Sequence, residues 1–453
     1  MATSPLAQLP QLRPEYRDAS GRVAKNPLAL TGLHPHVDVA GLARLFTGPA
    51  LIGEFLPSSF WTGIELVWSP PIPQLSGASL ADVFANAVAE LCESAETVGI
   101  SLSGGLDSAA VLWHVLKLRP KRRIVVFVVD LTDDAGVLTS TMARRILCDL
   151  NANAELIVVD PSQVQDWPTW SDIGPRLDAL PRLNNVVASK ALADGIDVLL
   201  SGNGADELLA VPSFATPEVA RRWGLRGLRQ YLTDVSSTPA GRIGEILTVA
   251  CRLLPPKVRA RAYWAANWPQ LCTPMVSDVV PEPLRQEVRA WTDEWIRNSI
   301  TEHSAKLRSW AYADAMDTFW PRAFVPPAGP IPEASPFLHP NVVSAALGIP
   351  IADRYDPFRD DAYHRCKSLV VHLFPESIRE LLPTRKQYYT AALAELMTGN
   401  IEVPLAHAAG IVDSHVLADD KDIATRMTAV AVEAWLTGAR EVNAIIPGLT
   451  LPD

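Results

Sequence analysis

Between residues 97 and 200 four short apolar runs alternate with stretches of helical character, and this alternation constrains the fold more than anything else in the chain. The runs are "VGISLS", "IVVFVV" (Ile124 to Val129), "ELIVV" (Glu155 to Val159) and "IDVLL". Between them lie "SAAVLWHVLKL", apolar on most sides, then "TMARRILCDL", and then "NNVVASKALADG", which stops at Gly195. "LADVFANAVAELCESA" precedes the first run, with helical spacing through Leu80, Val83, Val88 and Leu91. Continuous apolar runs belong to strands covered on both faces. Strands separated by helices of this length indicate parallel βαβ units. Right-handed crossovers then give a doubly wound α/β sheet. Ligands of such sheets bind beyond the carboxyl ends of the strands.

Two loops sit at those ends. "SGGLDS" follows the first run and "SGNGADELL" the fourth. Small residues let backbone N–H groups approach phosphate oxygens, and a following helix N-terminus adds a favourable dipole. Neither loop has the lysine of a Walker-type GxxxxGK[ST] sequence, so a kinase or GTPase reading fails. Asp107 would repel a phosphate unless a cation lies between them. Magnesium takes oxygen ligands from one or two carboxylates plus the phosphates themselves, and Asp206 is the natural second carboxylate. The bland alternative is a common turn with an aspartate helix cap. A Ser-Gly-x-x-Asp loop and a Ser-Gly-x-x-x-Asp loop, each leaving an expected parallel strand, weigh against it.

The rest of the chain sets the context. It has 453 residues, is 48% hydrophobic, and carries a net charge of -10. That acidic balance disfavours nucleic acid as a partner. Cys92, Cys148, Cys251, Cys272 and Cys366 lie far apart with no metal spacing, as expected of reduced thiols in a cytoplasmic protein. The first residues lack a signal-peptide core, and no apolar run is long enough to span a membrane. "VAGLARLF" reads as a short helix and "FWTGIELVW" as a strand. Beyond residue 212 the strand pattern disappears. "EVARRWGLRGLRQYL", "IGEILTVACRLL", "PLRQEVRAWTDEWIRNSI" and "LRSWAYADAM" are helical, and "PRAFVPPAGPIPEASPF" is rich in proline. The expected organisation is a short N-terminal region (1–79), an α/β core (80–212) and a mostly helical remainder (213–453).

"LSGGLDSAAV" followed by "LLSGNGADELL" resembles the synthetase domain of asparagine synthetase, within the PP-loop ATP pyrophosphatase superfamily. β-Lactam synthetase, carbapenam synthetase and lasso-peptide cyclases share that domain. The likeness runs over roughly residues 60 to 395. "FWTGIELV" looks like the family's linker, "ASPFLHPNVVSAALGIP" like its "PFLD" stretch, and "KSLVVHLFPESIRELLPTRKQYYT" like its closing segment with an essential lysine. The resemblance implies that Leu102, Ser103, Gly104, Gly105 and Ser108 hold ATP phosphates and the nucleotide edge. It implies that Asp107 and Asp206 hold magnesium on the pyrophosphate, and that Val129 touches adenine through its backbone. Ser201 and Gly202 would line the nucleotide from the other loop, and Lys386 would stabilise the charged intermediates. An ammonium suits that role because it neutralises both the leaving pyrophosphate and the oxyanion of amide formation.

The chain departs from this pattern in three places. Ala2 stands where asparagine synthetases have their catalytic cysteine, so hydrolysis of glutamine is not expected. Asn203 replaces the glutamate of "SGEGADE", and an asparagine cannot be a general base. Either another group takes the proton, with Glu207, Tyr388, Tyr389 and Asp130 as candidates, or the amine arrives neutral, while Asn203 would position substrate. His339 stands where "PFLD" has aspartate, and Ala334 where an arginine often precedes it, which unsettles an asparagine-specific pocket. Trp291 and Trp295 read as core, "ARRWGLRGLR" as a solvated face or a site for a substrate carboxylate or leader peptide, and His364 and His372 make no metal pattern.

The expectation is therefore an AMP-forming, magnesium- and ATP-dependent ligase in specialised metabolite or peptide biosynthesis. It would join a small-molecule or peptide carboxylate to an amine, with a partner protein as a possible source of substrate. The rival readings are a tRNA-modifying PP-loop enzyme and a catalytically inactive synthetase-like binding subunit.

Overall fold

The computed structural model describes residues 9–10, 12, 15–47, 59–67, 77, 79–163, 170–177, 181–212, 215–236, 238–251, 253–255, 258–259, 261–262, 276–305, 331–399 and 401–449. The first elements are strands β1 (Glu15–Asp18), β2 (Val23–Ala24) and β3 (Ile64–Val67), which form an antiparallel sheet in the order β2-β1-β3. The short helix α1 (Val39–Arg44) lies between β2 and β3, capped by the Asp38 carboxylate on the Gly41 N–H.

The main sheet has five parallel strands in the order β6-β5-β4-β7-β8. They are β4 (Thr97–Ser101), β5 (Arg123–Val129), β6 (Glu155–Val159), β7 (Val198–Leu200) and β8 (Glu333–Ala334). Side chains of a strand alternate between faces, and here both sets are apolar. Val98, Ile100, Val126, Val128, Val198 and Leu200 enter one core; Val125, Phe127 and Leu199 enter another. Helices α2 (Leu80–Leu91), α3 (Leu106–Leu116) and α4 (Thr139–Asp149) cover the first face, and α5 (Pro181–Ala193) covers the second. Each buried valine or isoleucine contributes roughly 1.5–3 kcal/mol, so the two-sided burial holds the strand ends rigidly.

The chain goes outward from β4 through β5 to β6, then returns to the other side of β4 with β7. The carboxyl ends of β4 and β7 therefore lie side by side at the point where strand order reverses, the usual ligand crevice of an open α/β sheet. The expected strands and their helices are all present. Strand β8 is a correction to the expectation that strands end by residue 212. Its two residues pair with Leu199 and Leu200, and a two-residue strand after a proline-rich stretch has no periodicity to read.

After β7 come the one-turn helix α6 (Ala205–Leu209), then α7 (Thr216–Asp234, interrupted at Gly224) and α8 (Pro239–Cys251). These are followed by α9 (Leu284–Ala305), α10 (Pro340–Gly348), α11 (Ala362–Cys366) and α12 (Ser368–His372). Side chains of α10 and α12 complete the core on the β4 face. A separate core joins the early strands to the last long helix, α13 (Ile423–Glu441), through Tyr16, Phe46, Trp61, Trp435 and Leu436. Trp291 lies 4.2 Å beneath the Arg44 guanidinium; the Trp295 side chain and "LRSWAYADAM" lie outside the described residues. Cys92, Cys148, Cys251 and Cys366 are unbridged, and Cys272 lies outside the described residues. No described helix is long and apolar enough to cross a membrane.

Candidate active site

The loop after β4 turns sharply into α3. Leu102 is buried and its N–H donates to the Phe127 carbonyl at 2.9 Å, which ties the loop to β5. Ser103 and Ser108 close the turn: the Ser103 N–H donates to Ser108 Oγ at 3.2 Å, and the two hydroxyls are 3.2 Å apart. Gly104 has φ +82, a left-handed conformation that glycine takes without strain. Gly105 caps α3 with no side-chain bond. Val129 ends β5, opposite Val159 of β6.

The loop after β7 approaches so closely that a Cβ at Gly202 would lie 2.9 Å from Asp107 Cβ and 3.0 Å from the Ser108 backbone nitrogen. Only a glycine lets these loops touch. The Ser201 N–H is held by the Ala334 carbonyl at 3.0 Å, and the Asn203 carbonyl accepts from Ser335 Oγ at 2.7 Å. Strand β8 and the residue after it thus fix the second loop. Asp206 and Glu207 fall in the first turn of α6, where the helix dipole favours negative charge.

Asp107 and Asp206 meet at one ammonium. Lys367, between α11 and α12, ion-pairs with Asp107 Oδ2, and its Nζ is 2.7 Å from Asp206 Oδ1. Lys386 reaches the other oxygen of Asp206 at 3.1 Å. Two carboxylates and two ammonium groups, from four separate parts of the chain, form one cluster. Burial and the Asp206 charge push the Asp107 carboxyl up, although Lys367 opposes them. Burial acts in the same sense on Asp206, but Lys367 and Lys386 outweigh it and hold that carboxyl low. Burial pushes the neighbouring Glu207 up to about 7, and the charges of Asp206 and Asp107 add to the effect.

The closing segment is fastened onto the first loop. Gln387 Nε2 donates to the Gly104 carbonyl at 3.0 Å and the Tyr389 hydroxyl to the Ser103 carbonyl at 3.2 Å. Arg385 pairs with the buried Asp133 at 2.6 Å, and the Asp134 N–H donates to the Tyr388 carbonyl at 2.8 Å. Tyr363 Oη accepts from the Leu106 N–H at 3.3 Å, at the start of α3.

The structure thus brings Leu102, Ser103, Gly104, Gly105, Asp107, Ser108, Ser201, Gly202, Asn203, Asp206, Glu207 and Lys386 to one end of the sheet. Sequence reasoning missed Lys367, Gln387 and Tyr363. The quoted closing segment begins with Lys367, and a lysine heading an apolar helix is a signal, because a buried lysine demands carboxylate partners. Other readings resolve differently. Asp130 caps α4, accepting from the Ser140 N–H at 3.0 Å. His339 is buried as the N-cap of α10, its Nε2 3.0 Å from Glu90 Oε2. His364 lies against the Pro383 carbonyl at 2.8 Å and His372 against Arg359 at 3.2 Å.

Lys367 and Lys386 engage three of the four oxygens of Asp107 and Asp206, which leaves Asp107 Oδ1 as the oxygen that could meet a divalent ion. Asp107 Oδ1 is buried with no hydrogen-bond partner among the described residues, and buried carboxylate oxygens require one. No cluster of three or more acidic, His or Cys side chains that could hold a metal occurs among the described residues. Two carboxylates completed by phosphate oxygens are the magnesium pattern.

Residues 79–326, more than half of the chain, match the family described as asparagine synthase. No curated protein is significantly similar in sequence. One solved structure with partial overlap is the U34-tRNA thiolase NcsA from Methanococcus maripaludis with its 4Fe-4S cluster, at 12% identity and a TM-score of 0.21 over 53% of this chain and 89% of that one. With its strand-end loops, parallel sheet and family match together, the chain belongs to the asparagine synthase family, a family of ATP-dependent synthetase-like ligases.

Proposed function

We propose that the chain adenylates a substrate carboxylate and passes the acyl group to an amine. The observation that carries this is the Asp107–Lys367–Asp206–Lys386 cluster at the reversal point of the sheet. A carboxylate oxygen of the substrate attacks the α-phosphorus of ATP, the bond to pyrophosphate breaks, and an acyl-adenylate forms. The amine nitrogen then attacks the acyl carbon, loses a proton, and AMP departs. Backbone N–H groups of Gly104 and Gly105, just before α3, would receive the phosphates, as groups at helix N-termini do. Asp107 and Asp206 would hold magnesium, which when bound neutralises charge on the leaving pyrophosphate. Lys367 and Lys386 supply the remaining positive charge, first to the pyrophosphate and then to the oxyanion.

Glu207 is the base in this reading. Burial, with the charges of Asp206 and Asp107, raises its carboxyl toward neutrality, and it stands four residues after Asn203, which carries no basic group. Asn203 positions substrate. Because Asn203 replaces the glutamate of the asparagine-forming pattern, the substrate in this reading is a small-molecule or peptide carboxylate of specialised biosynthesis rather than aspartate.

The test is isotope exchange between pyrophosphate and ATP in the presence of magnesium and pooled carboxylates, followed by addition of amines. Carboxylate-dependent exchange with AMP as the product after amine addition supports the reading. Formation of ADP, or exchange in no pool, removes it.

A further inference from the structure

Among its described side chains, helix α8 reverses the usual pattern. It buries its acidic residue, Glu245, which accepts from the buried Thr216 hydroxyl at 2.7 Å. It turns Ile243, Ile246 and Leu247 to the outside, each more than half exposed. These three share one helical stripe by their i, i+3, i+4 spacing. Leu225 on the packed neighbour α7 is 84% exposed, and Leu253 just beyond α8 is 89% exposed. An exposed apolar surface built in this way marks a docking face.

Its charge is equally one-sided. Arg221, Arg226 and Arg229 on α7, and Arg242 on α8, are exposed. The acidic residues of these two helices are withdrawn. Asp234 is held by Arg365 at 2.6 and 2.9 Å and by the Tyr355 hydroxyl at 2.7 Å; Glu245 is buried and Glu218 is half-buried. Arg242 lies one turn from Ile246 on the same helix, so in a chain with net charge -10 the apolar stripe has a positive charge at its edge, and the exposed arginines of the packed neighbour α7 add to it.

We infer that α7 and α8 dock an acidic amphipathic helix of a partner polypeptide. A stripe at helical spacing is what a second helix packs against, and the arginine rim selects acidic flanks. A second copy of this chain meeting the same face would oppose arginine to arginine. The face is also tied to the catalytic end. α7 follows the Asp206 loop directly, and its terminal Asp234 is gripped by Arg365, two residues before Lys367.

The probe is a fluorescent synthetic peptide of about 18 residues, leucines at i, i+3, i+4 and i+7 flanked by glutamates, compared with the same peptide carrying lysines. Anisotropy is read on the full chain. Saturable 1:1 binding of the glutamate peptide, at least about tenfold tighter than the lysine peptide and weakened by salt, is expected. The double variant Ile246→Asp, Leu247→Asp and the variant Arg226→Glu, Arg229→Glu each lose about tenfold in affinity. Both variants keep the wild-type melting transition and pyrophosphate exchange. Equal binding of the two peptides, or no binding, overturns the inference. So does undiminished binding by the variants, capture by phosphatidylserine vesicles in place of the peptide, or self-association abolished by Ile246→Asp. None of these outcomes bears on the ligase chemistry.

Discussion

Lys367 reaches Asp107 across 260 residues of sequence and holds Asp206 with the same nitrogen. Its side chain is 4% exposed. Removing one member of a buried ion pair leaves an uncompensated charge, which costs about 3–5 kcal/mol. Lys367→Met is therefore expected to lower stability by that order in urea titration and to abolish pyrophosphate exchange. If the variant is too unstable to assay, Lys367→Arg keeps the charge and tests the chemistry: exchange falls while the fold is retained. A Lys367→Met protein as stable and active as the parent would remove Lys367 from the cluster.

Lys386 behaves differently, because its side chain is 46% exposed and its ion pair among the described residues is with Asp206. Partly exposed pairs contribute little to stability, about 0–1 kcal/mol. Lys386→Ala should leave the melting transition and ATP affinity nearly unchanged and reduce turnover by at least about a hundredfold. Asp107→Ala and Asp206→Ala should instead stop adenylation outright.

Glu207 gives a dependence on pH. Its folded carboxyl titrates near 7, above the ordinary value of 4.5. Amide formation should therefore rise with pH through about 7, and Glu207→Gln should abolish that step while sparing pyrophosphate exchange. The stability sign is opposite to that of a salt-bridged carboxylate. Between 4.5 and 7 the unfolded chain releases the proton while the folded chain keeps it, so folding stability falls as pH rises. Glu207→Gln removes that loss. The melting temperature of the variant, relative to the parent, should increase from pH 5 to pH 8; a constant difference would place Glu207 in water.

Gly202 tests the closeness of the two loops. A methyl group there meets Asp107 Cβ at 2.9 Å and the Ser108 backbone nitrogen at 3.0 Å, and backbone cannot swing aside. Overpacking of this kind costs about 1–3 kcal/mol. Gly202→Ala should lower stability by that amount and exchange by more than about tenfold, because it separates Asp206 from Asp107.

The sheet was legible because its strands are buried on both faces: runs such as "IVVFVV" need no partner to declare themselves. The loops were legible because both carboxylates follow a Ser-Gly pair at a strand end. Strand β8 was not, since its two residues pair only once β7 is in place. Lys367 was hidden for a related reason. A lysine that neutralises two distant aspartates looks, in one dimension, like any lysine at a helix start. The contact of Asp130 with the Ser140 N–H was not legible, because it forms only when the chain turns back into the helix.

Gln387 and Tyr389 take the carbonyl oxygens of Gly104 and Ser103. Those oxygens would otherwise repel an incoming triphosphate. With its acceptors occupied, the glycine turn would offer donors alone to the proposed triphosphate, an arrangement set by residues nearly three hundred positions downstream. Loosening that distant tether would blur which molecules the turn admits before it altered any reacting group.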